Sequence, residues 1–273
     1  MKMNLKSFLT CTALSTLLFS CQKQDKTPTT TVNNGIPTEV INQIIAQGFS
    51  TEGAVAVDGG YVVENDIFLS KEALSKPNIG PILRVGEEEQ YHTTNLITVL
   101  PRTITVSVEG LDAIWAAATD SAIARYNLLG MRLTFQRIAV GGTIRVVGHD
   151  LGSGGVLGRS SGFPTSAGNP PDSITLNSRP GTFGANPSVQ WLATIVAHEL
   201  GHTIGFRHTD YKNRKYSCGG FKSNEGSAGV GAIWIPGTPT GPRDPNSWML
   251  ACTDGSNRPF NSNDLIALNY LYH

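Results

Sequence analysis

The sequence predicts an α+β fold with a twisted mixed β-sheet, with an α/β sandwich as the neighbouring alternative, and three observations lead there. Arg102–Val108 alternates at period two, as a strand does. Leu111–Tyr126 follows as an amphipathic helix, with Leu111, Ile114, Trp115, Ala118, Ala122 and Tyr126 on one face. β-rich runs then recur at Met131–Ile138, Thr143–Val147 and Ser173–Asn177, separated by a long Gly/Ser/Pro loop at His149–Pro171. The 273 residues are 40% apolar and only 15% charged, with 30 Gly and 15 Pro, which reads as a loop-rich globular chain. Its 21 basic residues match its 21 acidic ones, so there is no basic excess to hold a nucleic-acid backbone.

In chain order, residues 1–20 read as an export signal, with Lys2 and Lys6 before a short apolar run, Phe8–Phe19. That run is too short to span a bilayer. Leu18-Phe19-Ser20-Cys21 resembles a bacterial lipobox, which makes Cys21 the lipidation candidate and residues 21–35, polar and Thr-rich, a flexible tether. The expected location is therefore outside the cytoplasm, lipid-anchored to a bacterial envelope membrane or secreted. Residues 36–91 form a pro-like or accessory segment. It opens on a helical stripe (Val40, Ile41, Ile44, Ile45), continues through a hairpin signal at Asp58-Gly59-Gly60 and closes on the acidic connector Glu87-Glu88-Glu89. With Cys11 in the signal and Cys21 lipidated, Cys218 and Cys252 are left to pair outside the cytoplasm, the alternative being two buried thiols.

Residues 92–273 carry the chemistry. Asn186-Pro187 reads as a helix start, and Leu192, Val196, Leu200 and Ile204 recur every fourth residue as a buried stripe. His198 and His202, four apart, project from one side of that helix, away from the stripe, as two imidazoles sharing a metal must. Gly205 can take positive φ and reverse the chain, bringing His208 to the same ion from another direction. Three neutral nitrogens leave a fourth position for water, the pattern of a catalytic zinc site. Glu199, beside the first ligand, is placed to exchange protons with that water. The other route to a third ligand is a later glutamate, but Glu225 sits in a loop composition, Ser-Asn-Glu-Gly-Ser, so His208 is preferred.

His198–His208, HExxHxxGxxH, resembles the zinc signature of the metzincin metalloproteases. Ser247-Trp248-Met249-Leu250 is similar to their Met-turn, with Met249 packing beneath the metal, and Asn263–Tyr272 resembles their C-terminal helix. More narrowly, HELGH followed by GFRHTD resembles the dual-action HEIGH metallopeptidase family, with Leu200 at the name-giving Ile; Tyr61–Ile67, Thr93–Leu96 and Arg102–Val106 look like that family too. The resemblance implies a metzincin-like catalytic domain and a zinc-dependent endopeptidase acting on protein or peptide substrates. Its metal would be one catalytic Zn2+, with Ca2+ not indicated. A membrane is reached only through the lipid anchor, nucleic acid is not expected, and the chain reads as a monomer. The tyrosine that some metzincins carry two residues after the Met-turn methionine is Ala251 here. A Cys218–Cys252 bridge would pin the loop after His208 to the Met-turn. Asp210 is either a hydrogen-bond partner of a ligand histidine or a turn anchor. Asp66 is expected as a turn aspartate, with the open zinc position as the sharper alternative. Ile174–Asn177 is the expected sheet edge for an extended substrate. The competing function is a surface-exposed binding lipoprotein with a structural zinc site; a zinc hydrolase of non-peptide amides is weaker.

Overall fold

A computed structural model describes residues 35–47, 49–64, 66–75, 90–219, 224–226, 230–239 and 244–273. The signal, lipidation and tether readings fall on residues outside this set, as does the Glu87–Glu89 connector.

The elements follow the hydrophobic pattern closely. The early segment gives α1 (Thr38–Ala46), β1 (Val55–Val57), β2 (Gly60–Val63), β3 (Ile67–Ser70) and a single turn, α2 (Lys71–Leu74). The hairpin expected at Asp58-Gly59-Gly60 pairs β1 with β2, and Gly59 has φ 77°, which the tight turn requires. Next come β4 (Tyr91–His92), β5 (Arg102–Glu109), α3 (Ala113–Asn127), β6 (Leu133–Arg137), β7 (Ile144–His149), β8 (Gly158–Ser160) and β9 (Ser173–Asn177). The chain ends with α4 (Val189–Thr203), α5 (Lys215–Cys218), β10 (Ile233–Trp234) and α6 (Ser262–Tyr272).

Eight strands form one mixed sheet in the order β1-β2-β3-β8-β9-β7-β5-β6. β6, β5, β7 and β9 run parallel; β8 is antiparallel to β9, and β3 joins β8 in parallel through one pair, Ile67 with Ser160. This is the α+β, mixed-sheet architecture that the strand–helix–strand pattern predicts. Ile174–Asn177, however, is not a sheet edge: β9 lies inside, between β7 and β8. The edge of the later strands is β8, hidden in the Gly/Ser/Pro loop. Gly158-Arg159-Ser160 has no apolar alternation, so only its pairing with β9 reveals it.

The principal core joins α3, α4, α6 and the sheet. Leu192, Val196, Leu200 and Ile204, the predicted stripe, are all wholly buried in it. Tyr126 ties three elements together: its hydroxyl donates to the Ala197 carbonyl (2.7 Å) and accepts from the Trp248 indole N–H (3.2 Å). The start of α4 differs from expectation. Its cap is Ser188, whose hydroxyl accepts the Trp191 N–H at 3.2 Å, two residues after Asn186. Asn261 and Asp264 form a reciprocal capping box at the start of α6. A second, smaller core belongs to the early segment: Ile36, Ile41, Ile44, Phe49, Tyr61, Val63, Ile67, Leu69 and Leu74. Ile45, assigned to the helical stripe, is instead exposed. Cys218 and Cys252 form the expected disulfide. No described helix is long and apolar enough to cross a membrane.

Candidate metal centre

α4 presents His198 and His202 one turn apart, and the chain reverses at Gly205, whose φ is 103°. A Cβ at Gly205 would also lie 2.7 Å from Leu96 Cδ2 and 3.1 Å from the Asn95 carbonyl, so both the turn and the close approach require glycine. Past it, Thr93 N–H donates to the Gly205 carbonyl and Arg207 N–H to the Tyr91 carbonyl, which tie the returning chain to β4 and place His208 opposite α4.

Each imidazole is oriented by a partner on Nδ1. His198 Nδ1 is 2.8 Å from the Trp248 carbonyl and His202 Nδ1 is 2.8 Å from the Phe206 carbonyl. His208 Nδ1 is 2.6 Å from Glu225 Oε1. A carbonyl only accepts, so His198 and His202 carry their proton on Nδ1 and turn a bare Nε2 inward. Those two nitrogens lie 3.1 Å apart. Asp66 Oδ2 lies 2.8 Å from His208 Nε2, 3.3 Å from His198 Nε2 and 3.7 Å from His202 Nε2. The four ligand atoms fall within 4.8 Å of one another. Converging lone pairs and a carboxylate repel unless a cation lies among them, and Asp66 Oδ1 and Glu199 Oε2 are buried beside them without a hydrogen-bond partner. The donor set therefore fits a divalent metal, with imidazole nitrogens suited to a zinc-like ion.

The electrostatics agree. Burial drives the His202 pKa down to about 4, so the ring is neutral and ready to ligate. Burial also opposes charge on His208, but Asp66 and Glu225 outweigh it and hold its pKa well above the ordinary value. Burial would raise Asp66, yet the charge of His208 and its close polar contact hold its carboxyl well below the usual range. Burial likewise opposes ionisation of Glu225, but His208, Arg214 and Arg207 bring it down to about 2. Glu199 moves the other way: burial first, then the Asp66 charge, push its carboxyl well above the usual range.

Met249 lies directly under α4. A Cβ on Gly201 would sit 2.5 Å from Met249 Sδ, so the glycine between the two helix ligands makes room for the sulfur. Gly158 does the same for the carboxylate: its Cβ would be 3.0 Å from Glu199 Oε1. A cavity of about 320 Å³ opens alongside, lined by Asp66, His198 and Glu199 together with Trp191, Ile195 and Leu250.

Two placements depart from the sequence reading, and one open alternative is decided. Asp66 is no ordinary turn aspartate; it stands among the three rings. Asp210 accepts hydrogen bonds from Ser217 and from Ala251 N–H, so it anchors the turn, and none of these bonds runs to a ligand histidine. Glu225, set aside as a loop residue, is the carboxylate on His208; its loop composition was read correctly and said nothing of its reach. No spacing rule in the sequence singles out Arg207. It is wholly buried and ion-paired with Glu64 at 3.2 Å and with Glu225 at 3.5 Å.

A histidine cluster built on a helix and the turn after it, beside a buried glutamate on the same helix, defines a metallopeptidase-type site. The chain belongs to the dual-action HEIGH metallo-peptidase family, whose model matches residues 61–272. Among solved structures, one titled "Structure of myroilysin" is 21% identical over 45% of this chain and 57% of that chain, with a TM-score of 0.35. A second, "Crystal structure of myroilysin", is 19% identical over 42% and 48%, with a TM-score of 0.31. The chain thus spans about half the length of these structures. No curated protein matches the chain.

Proposed function

We propose that this protein is a zinc-dependent endopeptidase of metzincin type, with His198, His202 and His208 as metal ligands and Glu199 as general base. The observation that carries this reading is the set of three Nε2 atoms turned to one point, two of them fixed as lone-pair donors by carbonyls on Nδ1. A bound zinc would polarise the scissile carbonyl and lower the pKa of its water. Glu199 takes a proton at its free Oε2 and delivers it to the leaving amine. Gly158 lets the carboxylate lie against β8, where the Ser160 backbone N–H holds it. The cavity beside Trp191 and Leu250 receives an apolar substrate side chain and excludes water. Met249 and the Cys218–Cys252 bridge support the floor. The disulfide and the N-terminal pattern together favour export with a lipid anchor on Cys21 or secretion.

The test is metal analysis paired with casein digestion, with and without a chelator. Glu199→Gln keeps the metal and loses cleavage by about 10²–10⁴-fold; a variant that cleaves normally rejects the mechanism. The second reading, a binding lipoprotein with structural zinc, draws support from Asp66, which gives the cluster a fourth protein ligand. A structural site has no use for the buried, unpartnered carboxylate of Glu199.

A further inference from the structure

We infer that Asp264 is a positioning residue of the metal centre: its buried carboxylate, joined by Gln90, fixes the main chain of Ser247–Met249 and so holds the carbonyl that orients His198. This deepens the metallopeptidase reading and rests on it.

The three rings are not supported alike. His202 leans on the Phe206 carbonyl, four residues on in the turn that ends its own helix, and His208 leans on the Glu225 side chain. His198 depends on a main-chain carbonyl 50 residues away, that of Trp248. Its aim is therefore no better fixed than the turn that carries this carbonyl. The Trp248 indole N–H is tied to the Tyr126 hydroxyl, but that bond fixes the ring and not the peptide.

The peptide is fixed from α6. Asp264 is wholly buried, and its Oδ2 accepts the Trp248 N–H at 3.3 Å. The same oxygen accepts the Asn261 N–H at 2.9 Å, which is all that the capping box asks of it. Oδ1 is left over from the cap and accepts from Gln90 Nε2 at 2.6 Å. Gln90 Nε2 also donates to Ser247 Oγ at 3.1 Å, and that hydroxyl oxygen accepts the Met249 N–H at 3.2 Å. The Met249 N–H and the Trp248 carbonyl belong to one planar peptide unit, so holding the N–H aims the carbonyl. Ser247 Oγ lies 2.7 Å from Thr209 Oγ1 as well, beside His208 in sequence.

This arrangement is costly, and a helix cap alone does not need it. The donors to the Asp264 carboxylate are uncharged, so a charge is buried without a cation. Burial, with the Asp244 charge adding to it, pushes its carboxyl up to about 7, while the Asn261 N–H, the Ser247 hydroxyl and the Trp248 N–H draw it down. Gln90 is also wholly buried, its backbone is held at φ 65°, and its Oε1 has no hydrogen-bond partner. A glutamine kept in a sparsely populated conformation with its oxygen unsatisfied is there for its amide N–H groups.

The test uses the full chain loaded with cobalt(II) at alkaline pH, where Asp264 is ionised. It reads cobalt affinity by chelator competition and ligand geometry by visible absorption. Asp264→Asn sets an N–H against donors and should weaken cobalt binding about tenfold and change the absorption, because one ligand loses its orientation. Adding Gln90→Glu reverses donor and acceptor in the pair and should return both readings toward wild type. Gln90→Met leaves the cap of α6 intact, guards against misfolding of the first variant and should move both readings in the same direction. Wild-type affinity and absorption in either folded single variant would overturn the positioning role while leaving the metallopeptidase reading intact. A double variant that regains thermal stability without regaining the two metal readings would also overturn it, by making Asp264 a helix cap alone. Failure of wild type to bind cobalt would overturn the metallopeptidase reading and this inference with it.

Discussion

The early segment and the body of the chain after residue 90 are built on opposite principles. The body joins helices and parallel strands in one apolar core, and its site histidines are oriented from behind by carbonyls and a glutamate. The early segment shares little of that core and reaches the body through charged side chains. Apolar packing is non-directional and permanent, whereas buried ion pairs are costly to form and severe to break. The difference teaches that the body is made to stay together and the segment is made to be held in one register.

Four variants break or sharpen that contrast. The largest effect belongs to the body's cross-link. Cys218 and Cys252 are 34 residues apart, so replacing both by serine should remove about 4 kcal/mol of stability in the chain-entropy picture. Denaturant melts of the two proteins measure it, and a loss below about 1 kcal/mol would show that packing alone holds the floor of the site. Next comes the segment's pin. Glu64→Ala leaves a buried guanidinium short of a partner and should cost about 3 kcal/mol, whereas Glu64→Leu with Arg207→Met should recover much of it. Equal losses from the single and double changes would mean that the link is not ionic.

Gly201→Ala probes the contact between α4 and the Met-turn. Its Cβ would meet Met249 Sδ at 2.5 Å, and the expected cost is about 1–3 kcal/mol. Adding Met249→Ala should relieve part of it; no relief would place the strain elsewhere. The smallest effect at neutral pH is on Glu225. Glu225→Gln weakens the orientation of His208 and should lower metal affinity by about tenfold, read by chelator competition. It also changes the acid limb. The folded Glu225 carboxyl sits at about 2, below its ordinary 4.5, so its stabilisation is complete above the ordinary value and disappears as pH falls through the folded one. Metal-free wild type should therefore lose stability between those two pH values, and Glu225→Gln should flatten the loss; parallel curves would reject the pairing.

The legible parts of the sequence share a physical cause. The stripe of α4, the hairpin at Asp58-Gly59-Gly60 and the strands β5, β6, β7 and β9 all obey a local period. The histidines and Gly205 are close in sequence, so helix geometry and one permissive glycine suffice to bring them together. β8 was invisible because three residues without alternation become a strand only when a neighbour pairs with them. The cap at Ser188 and the exposure of Ile45 are small local choices settled by the surrounding packing.

Asp66, Glu225 and Arg207 were hidden for a stronger reason. Asp66 lies 132 residues from His198 and 142 from His208, and Glu225 lies 17 residues from His208. No spacing rule links such pairs. By itself the sequence determined the family, the longer helices and strands and the eleven-residue histidine motif, because each of these is written in neighbouring side chains and their periodicity. Which carboxylate stands at the metal position, which one supports His208 and which strand covers the β8 edge were decided only by tertiary structure, because burying a charge requires a partner and that partner is found by folding.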